Sequence, residues 1–182
     1  MHRLHISLIA AGFAVAISGA AYAQTPKGET PRAQDTKTMS ADHQFAHKAA
    51  MGGQHEVAGA RFAAGKASNA AVKTLANKLV TDHTAANNEL MKLMRTKRIA
   101  PEKDAKGEPE AWRNQAGAGF DRAYVDHVIA EHEKTITLFE DEAKNGTDAE
   151  LKAWAEQKLP TLREHLKMAQ DTKSKLATTS NQ

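Results

Sequence analysis

The chain has 182 residues, no cysteine, and 25 basic against 22 acidic residues, which gives a net charge of +3. The lack of cysteine excludes disulfides and thiolate-held metal sites, so any bound metal must be held by nitrogen and oxygen atoms. The small basic excess is spread along the chain and forms no stripe with interleaved aromatic residues, so nucleic-acid binding is not expected.

The first 23 residues have the pattern of a secretory signal peptide. The stretch "MHRLHISLIAAGFAVAISGAAYAQ" begins with Arg3, continues with an apolar segment, and ends in the A-x-A pattern Ala21-Tyr22-Ala23. The apolar segment is shorter than the ~20 residues that are needed to span a bilayer. We therefore predict cleavage after Ala23, no transmembrane span in the mature chain, and a periplasmic or secreted location.

Two polar segments flank the expected folded domain. Residues 24–40 contain two prolines and no apolar periodicity, which is typical of a flexible leader. Residues 173–182 have a similar character, and we predict a loose tail there. The folded domain is thus expected to span residues 41–172.

Within this domain, apolar residues recur at helical spacing in four stretches, and no segment alternates as a strand would. The predicted helices cover residues 41–64, 69–97 and 120–144, and a fourth begins near residue 148. Short connections should make the first and last pairs antiparallel hairpins. A long connection, with a short helix around Trp112, joins the second helix to the third. The pattern predicts an all-α, antiparallel four-helix bundle.

The helix starts carry capping signals. Ser68 is placed to cap the second helix. Thr147 and Glu150 have the T-x-x-E spacing of a capping box at the start of the fourth helix, directly after Asn145-Gly146, a pair that suits a left-handed helix end.

Five of the nine histidines directly follow an acidic residue, whereas random placement would give roughly one such pair. Adjacent residues on a helix point about 100° apart, so the acid cannot pair with its own neighbour. It can instead accept a ring N–H from a histidine on another helix, as happens around metal ligands. The pairs are Asp42-His43, Asp82-His83, Asp126-His127, Glu131-His132 and Glu164-His165.

One polar side chain lies on the apolar stripe of each predicted helix, within about four residues or ~6 Å of its midpoint. These residues are Glu56, His83, His132 and His165. An isolated carboxylate and unpaired imidazoles would be costly in a core. A bound metal ion, or a closed hydrogen-bond network with water, would remove that cost.

Three imidazoles and a carboxylate suit a single zinc, copper, nickel, manganese or iron ion. The chain contains no Glu-x-x-His sequence, so a carboxylate-bridged di-iron site is not expected, and nothing indicates an organic cofactor. Asp82 and Glu164 are expected beside the ligands or at the surface. Tyr124 is expected in the core near the site.

The order of these motifs along residues 45–169 is specific. It runs through "FAHKAAMGGQHEVAGARFAAGKASNAAVKTLANKLVTDHTAANNEL", then "FDRAYVDHVIAEHEKTITLFEDEAKNG", then "LKAWAEQKLPTLREHLKMA". In this order the chain resembles the bacterial domain of unknown function 4142, a ferritin-like family of exported proteins. The resemblance implies the fold and export, but no activity and no catalytic residues. The matching positions are Glu56, Asp82-His83, Phe120-Asp121-x-x-Tyr124, His132, and Leu159-Pro160 followed by His165.

Three classes of function fit these observations. The favoured class is a periplasmic metal-binding or metal-dependent redox protein. The second is a non-catalytic envelope or stress-related bundle, with a buried polar network and a surface that binds a partner or another copy of itself. The third is a hydrolase with a metal-activated water. Nothing in the chain resembles a serine or cysteine nucleophile system, because cysteine is missing and no serine lies in a G-x-S-x-G sequence.

Overall fold

The structure is a computed structural model that describes residues 39–101 and 111–179. These ranges contain four long helices, a short 3₁₀ helix and no strand. The predicted signal peptide and the predicted leader up to residue 38 lie outside them. Across the described ranges, every helix is too short or too polar to cross a membrane. The helices are α1 (Ala41–Lys66), α2 (Ala70–Thr96), the 3₁₀ helix (Ala111–Asn114), α3 (Gly117–Asn145) and α4 (Ala149–Thr179).

Contacts at the helix ends fix the direction of each helix. Asp42, in the first turn of α1, accepts a hydrogen bond of 2.7 Å from the backbone N–H of Thr147, just before α4. Lys97, just after α2, lies 2.7 Å from the Asp148 carboxylate. The start of α1, the end of α2 and the start of α4 are therefore at one end of the bundle.

The opposite end joins α1, α2 and α3. Asp121, in the first turns of α3, accepts hydrogen bonds of 3.0 and 2.9 Å from the backbone N–H groups of Ser68 and Asn69, between α1 and α2. The end of α2 and the start of α3 therefore lie at opposite ends of the bundle. As a result α2 and α3 are parallel, and both are antiparallel to α1 and α4. This confirms the two antiparallel hairpins and the long connection.

The core has two apolar clusters with a polar layer between them. One cluster contains Leu79 of α2 and Val128 of α3, and the other contains Leu90 of α2 and Phe139 of α3. On each of these helices a histidine lies between the two apolar residues. The layer at mid-height is therefore formed by the histidines that the sequence places there.

Three details at the helix ends differ from the sequence-based expectations. The Ser68 side chain bonds to Asp121, so Asn69 caps α2 by accepting a 2.8 Å bond from the Ala71 N–H. Gly146 has a φ of −56°, so α3 does not end in a left-handed residue. The predicted loose tail is helical as far as Thr179, because Leu176 is buried in the first apolar cluster.

The N-cap of α4 is Asp148 rather than Thr147, so the predicted capping box does not form. Asp148 caps the helix through a 3.0 Å bond from the Leu151 N–H. Thr147 donates its hydroxyl to Asp42 at 2.6 Å instead. The expected cap was wrong because a buried acid on another helix takes the threonine hydroxyl.

Candidate metal centre

Three histidines meet at the centre of the bundle, one each from α2, α3 and α4. His83, His132 and His165 are 7%, 1% and 1% exposed. Nε2 of His132 lies 3.4 Å from Nε2 of His83 and 3.4 Å from Nδ1 of His165. One nitrogen from each ring falls within 4.8 Å of the others. Helical spacing explains this meeting, because His83 and His132 each follow a core residue by four positions.

In two of the rings, the nitrogen that faces away from the cluster donates a hydrogen bond. Nδ1 of His132 lies 3.0 Å from the carbonyl oxygen of Val128, which can only accept a hydrogen bond. Nε2 of His165 lies 2.8 Å from a carboxylate oxygen of Asp82. In a neutral imidazole the other nitrogen then carries a lone pair. Nε2 of His132 and Nδ1 of His165 therefore direct lone pairs at the same small region.

Burial keeps these rings neutral near pH 7. Burial, together with the neighbouring His132 and His165, lowers the pKa of His83 to about 3. Burial, together with His165, lowers the pKa of His132 to about 4. The pKa of His165 is also lowered, because burial outweighs the charge of Asp82. Neutral imidazole is the form that binds metal ions.

Asp82 connects the cluster to the surface. Its carboxylate accepts from His165 and also pairs with Lys78 at 2.9 Å, one turn earlier on α2. Burial alone would raise the pKa of Asp82, but the bonds from Lys78 and His165 outweigh it and leave the pKa lowered. An ionised carboxylate thus orients the ring of His165. The i, i+4 spacing of Lys78 and Asp82 is the sequence signal that could have identified this lysine.

Glu56 lies at the edge of the cluster. Its carboxylate is 3.8 Å from Nδ1 of His132, the nitrogen that faces away from the other two rings. Glu56 is therefore not grouped with the three converging nitrogens, although its side chain is only 12% exposed. Its predicted role as a ligand stays a prediction.

The other two residues expected near the site occupy different environments. Tyr124 packs in the first apolar cluster, with its ring centroid 5.1 Å from that of Trp112. Glu164 is exposed on α4, where its charge acts on Lys78 and His165. Of the three, Asp82 is the one that hydrogen-bonds a clustered histidine.

A cavity of about 60 Å³ opens beside the histidines. Its lining includes His83 and His165, the carboxylates of Glu56 and Asp82, and Asn87. Because a water molecule needs about 10–15 Å³ of such space, the cavity has room for several. Small molecules can therefore reach the edge of the cluster.

Two of the three distances between these nitrogens match those of a tetrahedral metal ion. With metal–nitrogen bonds of about 2.0–2.1 Å, the ligands of a tetrahedral zinc site lie about 3.3–3.4 Å apart. Two of the nitrogen pairs here are 3.4 Å apart. This is longer than the usual N–H hydrogen bond of about 2.9–3.0 Å. The three histidines could hold one ion, and the cavity would leave a fourth position open.

Both the fold and the sequence of the chain are similar to those of known proteins. The fold is similar to the crystal structure of a DUF305 protein from Streptomyces coelicolor that is inferred to be secreted. The TM-score is 0.66 at 12% identity, over 76% of this chain and 94% of that chain. Curated proteins give no match. The model of the family described as domain of unknown function DUF4142 matches residues 27–172. The chain therefore belongs to the DUF4142 family.

Proposed function

We propose that the protein is an exported bundle that binds one transition-metal ion between His83, His132 and His165. The observation that carries the proposal is the pair of facing nitrogens of His132 and His165, 3.4 Å apart, whose ring hydrogens are both committed elsewhere. Two lone pairs that face each other do not attract. A single N–H of His83 cannot donate a full hydrogen bond to both nitrogens. A cation at this point would bind all three nitrogens.

The donor set favours some ions over others. Imidazole suits zinc, copper, nickel and iron, whereas manganese prefers carboxylate and water oxygens. Glu56 supplies one nearby carboxylate at the cluster edge. Among these ions we expect zinc and copper(II) to bind most tightly, since neutral nitrogen ligands dominate the site.

The test of metal binding is metal analysis of the mature chain. Purified protein is stripped with a chelator, dialysed in turn against zinc, copper(II), nickel, iron(II) and manganese, and freed of excess ion. We expect about one zinc or copper ion per chain, and the loss of most of it in His132→Ala. His43→Ala removes an exposed histidine and is the matched control, which should bind as the wild type does. Wild-type protein that retains no ion, or His132→Ala that retains a full equivalent, would overturn the proposal.

A location outside the cytoplasm is the second part of the proposal. It is supported by the signal-peptide pattern and by the start of the family match at residue 27, beyond Ala23. We expect mass spectrometry of the protein recovered from the periplasm or medium to find an N-terminus at Gln24. Recovery of the intact chain from Met1 would contradict export with cleavage.

A further inference from the structure

The cavity beside the histidines has a wall shaped by one close approach between α1 and α2. Asn87 lies one turn after His83 on α2, so both side chains point to the same side of the helix. A Cβ atom built on Gly53 of α1 would lie 2.0 Å from the Asn87 side-chain oxygen. Any side chain at position 53 would therefore displace the amide. Because Gly53 has no side chain, the Asn87 amide can occupy this space.

The neighbouring glycine has a different environment. A Cβ atom on Gly52 would meet nothing within 4 Å. Both glycines lie in the same turn of α1 and line the same cavity, so they differ chiefly in their relation to Asn87. Comparing a substitution at Gly53 with the same substitution at Gly52 therefore separates the effect of displacing the Asn87 amide from the general effect of replacing a glycine in a helix.

Charges around the cavity favour an anion once a metal ion is bound. A divalent ion on three neutral imidazoles brings two positive charges into the core, and a buried charge is costly unless it is paired. Two carboxylates line the cavity: Asp82 is already paired with Lys78 and His165, and Glu56 lies 3.8 Å from Nδ1 of His132. Two lysines, Lys48 and Lys158, also line it and balance these carboxylates, so the lining leaves the two charges of the ion uncompensated.

We propose that the cavity binds a small anion at the fourth position of the metal ion, and that Asn87 hydrogen-bonds this anion. The inference rests on the proposed metal site and adds the chemical class of its external ligand. Metal sites with three protein ligands keep the fourth position for water or substrate. The Asn87 amide provides N–H donors, and the volume of about 60 Å³ restricts the ligand to a few atoms.

The test uses azide as the probe anion on the copper(II)-loaded full mature chain. Metal content is measured first, and azide binding is then followed by visible absorption. The variants are Gly53→Ala, which displaces the amide, and Asn87→Asp, which keeps the side-chain size but replaces the donor with a negative charge. Gly52→Ala is the control.

We expect saturable azide binding with equal affinity in the wild type and Gly52→Ala. Gly53→Ala and Asn87→Asp should bind azide at least about tenfold more weakly, the effect of one hydrogen bond to a charged group, with copper still near one per chain. Absence of copper from the wild type would overturn the metal site and this inference together. Bound copper with no azide response, or equal azide affinity in all four proteins, would overturn the anion pocket and leave the metal site standing.

Discussion

The Asp82 carboxylate determines which nitrogen of His165 faces the cluster. It accepts the Nε2–H of His165 at 2.8 Å and is held in place by Lys78 at 2.9 Å. Asp82 thus hydrogen-bonds a histidine of another helix. His83, its neighbour in the sequence, points into the cluster without a bond from Asp82. Of the acids in the five acid–histidine pairs, Asp82 is the one that bonds a clustered histidine, whereas Asp126 and Glu131 pair with lysines.

We expect Asp82→Asn to weaken metal binding by about 10–100-fold, the usual effect of losing a partner of a metal-bound histidine. The amide oxygen can still accept from His165, but the negative charge that favours this orientation is gone. Competition with a chromophoric chelator measures the affinity. Asp126→Asn is the matched control, because Asp126 also precedes a histidine but pairs with Lys173 at the surface. Equal losses in both variants would contradict the specific role of Asp82.

At the scale of the helices, Asp42 joins α1 to the turn between α3 and α4. Its carboxylate accepts hydrogen bonds from the backbone and side chain of Thr147. Burial, together with the nearby charge of Asp42, raises the pKa of Glu142 to about 7. Glu142 is therefore protonated and uncharged beside Asp42 at mildly acidic pH.

The pH dependence of stability follows from this pKa. Because the pKa is about 7 in the folded chain and ordinarily 4.5, the folded state binds the proton more tightly. The stabilising contribution is complete below about pH 4.5 and is lost as pH rises through about 7. Glu142→Gln cannot titrate and should remove this loss, which has a slope of up to about 1.4 kcal/mol per pH unit.

Urea unfolding between pH 5 and pH 8 measures the difference between the wild type and Glu142→Gln. Glu140→Gln is the control, since Glu140 lies on the same helix as Glu142 but is half exposed and pairs with Arg163 of α4. Its pH dependence should equal that of the wild type. Parallel pH curves for the wild type and Glu142→Gln would show that Glu142 titrates in its ordinary range.

For the whole molecule, the sequence could predict the features that depend on local spacing. Apolar periodicity and the rise per residue place His83, His132 and His165 at one height, and the structure brings their rings together. The helix caps could not be predicted, because their competing partners Asp42 and Asp121 are 105 and 53 residues away along the chain. The angle of Glu56 on α1 likewise depends on how the helices rotate when they pack.

A bound metal ion should raise the stability of the entire bundle, because the site joins three helices that the unfolded chain cannot hold together. At a free-ion concentration of about 100 times the Kd, the gain is about 2.7 kcal/mol. For a domain of this size, such a gain corresponds to a rise in Tm of roughly 10 °C. Thermal unfolding of the chelator-treated chain, with and without added zinc or copper, measures it.

His132→Ala and His43→Ala separate this effect from general ion effects. The exposed His43 should be dispensable, so His43→Ala should keep the full rise in Tm, while His132→Ala should lose it. His132→Ala should also have a lower Tm without metal, because it leaves a cavity between the two apolar clusters. If the histidines form a buried network without metal, the result is different. His132→Ala would still have a lower Tm than the wild type, but neither zinc nor copper would change the Tm of the wild type. That result would favour a bundle in which the three histidines fix the register of the helices.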